Sequence, residues 1–284
     1  MALDHLKPEI WSAALLRRLN DALVYRNVCT TEYEREISGF GDVVRINEIG
    51  TIAVNDYNST STSALTVQQL DDAQKLLHIN RAKYAAFFID DQDRAQAKGD
   101  FMSAAVDQMA WSIANEIDEY IASLHGQAGI TVSGSAASGT DINSTNVMKY
   151  ISLIAQKHDE ANTPKMGRWI VVPPWFEQKL LLSKIALDTN NSDTLGTGFL
   201  GRYMGFDIYV SNNVVHQSGT DRASVMSGYR GSIAMATQVV KTKMSETITT
   251  GFKTLVKSLV VYGVKVIRPN NLAVLWADYL AEAT

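Results

Sequence analysis

The sequence predicts an α+β protein, and three observations predict it. Two β-like stretches, Asp42 to Val54 and Lys75 to Ile89, flank a polar tip. One strongly periodic helix follows, with Met102, Val106, Met109, Ile113, Ile117, Tyr120 and Leu124 recurring at helical spacing. The last third returns to strand-like runs, Phe252 to Ile267 and Leu272 to Ala277, separated by the turn Arg268-Pro269-Asn270-Asn271.

Pro8 to Asn27 reads as a helix: Pro8 suits a first turn, and Ile10, Ala14, Leu15, Leu19, Ala22 and Leu23 form an apolar stripe. No second helix follows to cover that stripe, so it must dock on the main body or on another chain. Between the two β-like stretches, Asn55 to Thr66 has loop composition. A long two-stranded ribbon is marginally stable alone. It either lies on its own domain or reaches over a neighbour. Ala97 to His125 is the long helix, ended by Gly126, and Gly126 to Asn146, rich in Gly, Ser, Thr and Ala, is the clearest internal boundary. Beyond it come a helix from Asn146 to Asp159, a buried strand from Arg168 to Val172 stopped by Pro173-Pro174, and a helix from Trp175 to Ile185. Phe206 to Ser211 and Ser232 to Val240 are strand-like.

Composition narrows the function classes. The 284 residues are 46% hydrophobic and 20% charged, which is ordinary for a globular chain with a sizeable core. No apolar run approaches the roughly 20 residues that cross a bilayer, and the first residues lack the layout of a signal peptide, so no membrane partner is expected. A lone Cys29 excludes an internal disulfide framework and suits a reducing cytoplasm. The net charge of −4 is uneven: residues 238–284 carry 6 bases against 3 acids, while residues 31–96 carry 11 acids against 6 bases. That C-terminal excess is too small for a nucleic-acid-binding module, so any such contact is expected to be weak and non-specific.

The search for chemistry returns no catalytic, cofactor or metal residues. Gly196-Thr-Gly-Phe-Leu-Gly201 copies the glycine pattern of dinucleotide loops, with Asp221 beyond it. A polar loop precedes it and a strand-like segment follows, so the strand and helix such a site requires are missing. Asp90, Asp91 and Asp93 could bind a divalent cation, but acids before a long helix serve equally to complement its N-terminus. His5, His78, His125, His158 and His216 show no metal-ligand spacing. For a chain of this length, the empty list points to a structural role.

Five stretches carry a family likeness: Phe40-Gly-Asp-Val-Val-Arg-Ile46, Ala114-Asn-Glu-Ile-Asp-Glu-Tyr-Ile-Ala122, Arg168-Trp-Ile-Val-Val-Pro-Pro174, Gly205-Phe-Asp-Ile-Tyr-Val-Ser-Asn-Asn213 and Val261-Tyr-Gly-Val-Lys-Val-Ile-Arg-Pro269. In this order they resemble the Hong Kong 97-type coat fold of the major capsid proteins of tailed bacteriophages. The resemblance implies an N-terminal arm (1–39), an extended β-hairpin loop (40–89) and the spine helix of a peripheral domain (90–125). An axial domain (126–240) and C-terminal strands returning to the peripheral domain (241–284) complete it. It further implies pentamers and hexamers of this subunit closing an icosahedral shell around double-stranded DNA, assembled in the bacterial cytoplasm with a portal. Arg45, Tyr57, Arg81 and Lys83 become the candidate inter-subunit contacts on the extended loop. Some members begin with a cleaved scaffolding segment. This chain starts almost at the arm, so a separate scaffolding protein is expected. Others cross-link lysine to asparagine; Lys75 and Lys83 could donate, but nothing marks an acceptor, and no cross-link is expected. A near-neutral wall suits DNA, which carries one charge per roughly 1.7 Å and must later leave. Two alternatives stand beside this reading: an encapsulin-type nanocompartment shell, and a soluble metal-dependent enzyme using Asp90, Asp91 and Asp93.

Overall fold

The computed structural model describes residue 15 and residues 23–33, 43–49, 72–90, 101–183, 199–245 and 253–281. Twelve strands are described. They are β1 (Val43–Ile49), β2 (Asp72–His78), β3 (Arg81–Asp90), β4 (Ile130–Ser133), β5 (Thr140–Ile142) and β6 (Arg168–Val172), then β7 (Phe199–Tyr203), β8 (Phe206–Val210), β9 (Ala223–Tyr229), β10 (Ile233–Ser245), β11 (Lys253–Val266) and β12 (Leu272–Tyr279). The helices are α1 (Phe101–Ser123), α2 (Val147–Glu160) and α3 (Pro174–Leu182).

The largest sheet has the order β4-β12-β9-β6-β8-β7, with β5 also on β12. Its centre is β6, buried at all five positions, as a strand covered on both faces must be. Alternation assigns the faces. Ile170 and Val172 pack with Val147, Ile151 and Ile154 of α2 and Phe176 and Leu180 of α3. Trp169 and Val171 join the cluster built on Ile113, Ile117 and Ile121 of α1. The sheet is therefore a middle layer, with α2 and α3 on one side and α1 on the other. Arg168 opens β6 buried, donating to Asp159 Oδ1 at 2.7 Å and to the Pro164 carbonyl at 3.0 Å, which ties the strand to the end of α2.

A second sheet, β10-β11-β3, is antiparallel throughout. Ile233, Met235, Val260 and Tyr262 face the α1 cluster. Ala234, Ala236 and Val261 face the other way, onto Val44, Ile46, Leu77 and Ile79 at the base of the β1–β2 hairpin. That base is thus buried on its own subunit, with Leu77 and Ile79 fully inaccessible. Gly263 makes the crossing possible: a Cβ there would stand 2.5 Å from the His78 carbonyl oxygen.

Several expectations change. The stretch from Lys75 to Ile89 is not one strand. It ends its pairing with β1 at His78, passes through Ile79-Asn80, and resumes as β3 against β11. The hairpin tip, including Asn55 to Thr66, lies outside the described residues. Of the helix expected from Pro8 to Asn27, residues 8–14 and 16–22 lie outside the described residues; Leu23 belongs to no helix, Val24 has helical angles only as the N-cap (φ −79°, ψ −49°), and Tyr25–Val28 is one 3-10 turn. The physical reason is capture of the Val24 and Tyr25 N–H groups by the Asp118 carboxylate, so they are not offered to preceding carbonyls. The boundary stretch 126–146 carries β4 and β5, two short strands held in parallel by β12. Of the C-terminal segment 241–284, β11 joins β3 while β12 enters the large sheet between β9 and β4. Between β7 and β8 the chain reverses through Met204 and Gly205, both at positive φ (48° and 83°), a two-residue hairpin turn.

Candidate inter-subunit surface

The region built by α1 and β3 combines open apolar surface with paired charges. Among the described residues β3 is an edge strand of its sheet, hydrogen-bonded to β11 on one side only. Its pattern runs against expectation for an edge: Ala85 and Phe87 face α1, while Tyr84 and Phe88 point outward, 79% and 61% exposed. Exposed aromatic side chains on an edge strand are a contact surface for another chain unless something blunts them. On α1, Trp111 is 55% exposed. Between strand and helix runs a cavity of about 560 Å³ lined by Ala85, Phe87, Phe88, Ala104, Met109 and Ser112. Small side chains on both walls leave it open.

The charges sit at one end of this groove. Lys83 pairs with Glu116 of α1, and the carboxylate's hydrogen bond and charge raise the lysine pKa. The Arg81 guanidinium lies 3.7 Å from the centre of the Tyr120 ring, which meets Tyr262 edge-on at 5.9 Å. Burial, in the first place, raises the Tyr262 phenol.

The structure therefore brings two of the four residues singled out from the sequence together, and not the others. Arg81 and Lys83 share β3, and both engage α1 of their own subunit. Arg45 is exposed on β1, paired in register with Leu76. Tyr57 lies outside the described residues. Tyr84, Phe88 and Trp111 were missed by the sequence reading; the available signal was an apolar residue at every position from 84 to 88, which leaves apolar side chains on both faces of a strand. Asp118 was missed as well. It is 2% exposed, and its Oδ2 accepts the Val24 N–H at 2.9 Å.

Of the acidic cluster, Asp90 closes β3 opposite Lys253, while Asp91 and Asp93 lie outside the described residues; of the Gly196–Gly201 stretch, residues 196–198 lie outside them and Phe199–Gly201 open strand β7. Among the described residues no group of three His, Cys, Asp or Glu side chains could hold a metal ion. No described helix is long and apolar enough to cross a membrane.

Comparison with known proteins bears on this surface. A family model described as phage capsid protein matches residues 79–275, well over half of the chain. Among curated proteins none matches. A chain of Mycobacterium phage Che8 is similar, with a TM-score of 0.72 at 24% identity over 89% of this chain and 90% of that one. The capsid of the cyanophage P-SCSP1u aligns with a TM-score of 0.68 at 16% identity, over 91% and 89%. A virus-like particle from Pyrococcus furiosus aligns with a TM-score of 0.58 at 12% identity, over 94% and 98%.

Proposed function

The chain belongs to the phage capsid protein family, and from that premise we propose that its copies form pentamers and hexamers that close an icosahedral shell around double-stranded DNA. The fold is the Hong Kong 97-type coat fold, and the protein is a structural shell subunit of the virion. A separate scaffolding protein and a portal are proposed partners, with assembly in the bacterial cytoplasm and only weak contact to the packaged DNA.

The observation that carries the proposal is the α1–β3 flank. Tyr84 and Phe88 on an edge strand, with Trp111 exposed on α1, cost about 25 cal/mol for every Å² of apolar surface left in water. Contact with a neighbouring subunit recovers that free energy. Arg81 and Lys83, held against α1, would then border the contact rather than fill it, and Arg45 and Tyr57 would belong to a separate contact made by the hairpin. The overall charge of −4 supports a wall that contains DNA without gripping it.

Light scattering and negative-stain electron microscopy test this directly. The wild-type chain should give hexamers, pentamers or closed particles. Tyr84→Glu should remain a folded 31.2 kDa subunit that does not close shells. A wild-type chain that stays monomeric at every concentration, or a Tyr84→Glu variant that still forms normal particles, would count against the assignment. The encapsulin-type compartment is the second reading, supported by the likeness to the Pyrococcus furiosus virus-like particle. Nuclease-protected DNA inside the particles selects the first reading, and particles holding protein cargo select the second.

A further inference from the structure

A buried acid fastens the amino-terminal segment to the subunit. Asp118 lies mid-helix on α1, and its two carboxylate oxygens take the N–H groups of Val24 and Tyr25, at 2.9 and 3.2 Å. Those two donors begin the 3-10 turn Tyr25–Val28, whose Tyr25 and Val28 are buried. A second attachment lies two residues beyond the turn. Thr30 forms a parallel bridge to Ala234, receiving an N–H from Met235 at 3.0 Å and donating its own to the Ile233 carbonyl at 2.8 Å. The Arg230 guanidinium also donates to the Asn27 carbonyl. The strand bridge is backbone to backbone and does not titrate. The carboxylate clasp does.

We propose that Asp118 is a proton-controlled clasp: a bound proton tightens the seat of the Leu23–Cys29 turn on α1, and loss of that proton loosens it. The geometry sets the direction. The seated turn covers the carboxyl group, leaving it 2% exposed inside an apolar cluster. A carboxylate there gives up its hydration and receives two N–H bonds, whereas lifting the turn returns it to water. The two N–H bonds favour the charged form and the lost hydration disfavours it; with only 2% of the residue exposed the lost hydration is the larger effect, so the seated state holds its proton more tightly than the lifted one.

Among the described residues the surroundings do not reverse this. Facing Asp118 from the turn are Tyr25 and Cys29, both kept neutral because burial, and then the Asp118 charge, push their pKa values up. Arg26 on the same turn acts on Cys29 in the opposite sense. Arg81 and Lys83 on β3 and Tyr262 on β11 act instead on one another and on Tyr120 and Glu116 of the helix. Burial outweighs the two backbone hydrogen bonds and lifts the Asp118 pKa to about 7. Because that is above the ordinary value of 3.8, the tightening is complete below about pH 4 and lost as pH rises through about 7.

Cys29 supplies the readout, since it is the chain's single cysteine, is buried, and rides on this turn. Thiol labelling of the intact chain is measured from pH 5 to 8 with a reagent reactive over that range, in wild type and in Asp118→Asn. The ratio of wild-type to variant rates cancels the thiol's own titration. It should rise roughly tenfold per pH unit between pH 5 and 7 and then flatten. A flat ratio overturns the proposal. So does rapid labelling of Asp118→Asn at every pH, which would mean that the negative charge itself holds the turn. Should the variant not fold, the wild-type rate divided by the rate of the denatured wild-type chain must show the same slope, and a flat quotient refutes the clasp.

Discussion

Gly263→Ala is the substitution for which the structure gives the sharpest expectation. Gly263 sits in β11 one residue beyond Tyr262, the position paired with Arg81 at the start of β3. There the chain leaves the hairpin, passes over β11 and enters the sheet as β3. A Cβ at 263 would meet the His78 carbonyl oxygen at 2.5 Å and Ile79 Cδ1 at 2.8 Å, where ordinary contact begins near 3.4 Å. The closer obstacle is backbone, so no rotamer change relieves it. The hairpin base must lift by about 0.9 Å, loosening Leu77 and Ile79 against Ala234, Ala236 and Val261. Overpacking of this kind costs about 1–3 kcal/mol, and at about 2–4 °C per kcal/mol for a large domain the melting temperature falls by roughly 2–12 °C. Gly126→Ala is the control. Nothing lies within 4 Å of its added Cβ and its φ is not positive, so it should be neutral or stabilising by about 0.4–1 kcal/mol. Thermal and urea unfolding of both variants, with hydrogen exchange of residues 75–90, checks the reasoning. Equal stabilities for the two alanine variants, or a Gly263→Ala loss with no change in hairpin exchange, would refute it.

Two further outcomes follow from the packing. Replacing residues 50–71 by an Asn-Gly turn joins Ile49 to its register partner Asp72, and should leave the subunit folded by circular dichroism while closed particles disappear under the microscope. Deleting Asn47–Arg81 instead removes the fully buried Leu77 and Ile79 and should cost several kcal/mol, about 2–5 for each large core side chain lost, so survival of the fold would contradict the seating of the hairpin base. The third expected outcome is a pH dependence. His158 is buried, with Nε2 3.0 Å from Ser227 Oγ; burial first, and then the Arg168 charge, lowers its pKa to about 4. A base depressed below its ordinary 6.5 adds stability that is present above that value and lost as pH falls toward 4, up to about 3 kcal/mol. His158→Asn should flatten that part of the stability curve in denaturant titrations between pH 6.5 and 4, and an unchanged slope would reject the assignment.

The likeness carried by short stretches such as Phe40–Ile46 and Val261–Pro269 pointed to the family, and the α1–β3 flank was partly legible through Arg81 and Lys83. Its aromatic half was not. Tyr84 and Phe88 lie in a stretch with apolar side chains on both faces, so the pattern does not say which face is covered, and only the sheet order of the described strands reveals that β3 is an edge. Asp118 looked like one more polar residue of an amphipathic helix, since the backbone donors it serves lie more than ninety residues away.

Periodicity by itself determined α1, α2 and the central strand β6, because a helical stripe or a continuous apolar run is a local property that any covering layer will satisfy. It could not determine strand partners. Pairing is a long-range match of backbone edges, so one β-like stretch could divide at Ile79-Asn80 between the hairpin and the second sheet without any change in its composition. Nor could it show that β4, β5 and β9 are strands: their short or small-residue sequences hold an extended conformation because β12 and β6 supply hydrogen bonds from beside them. The same reason governs the amino-terminal turn Tyr25–Val28, whose first N–H donors meet a carboxylate that only the folded chain brings within reach.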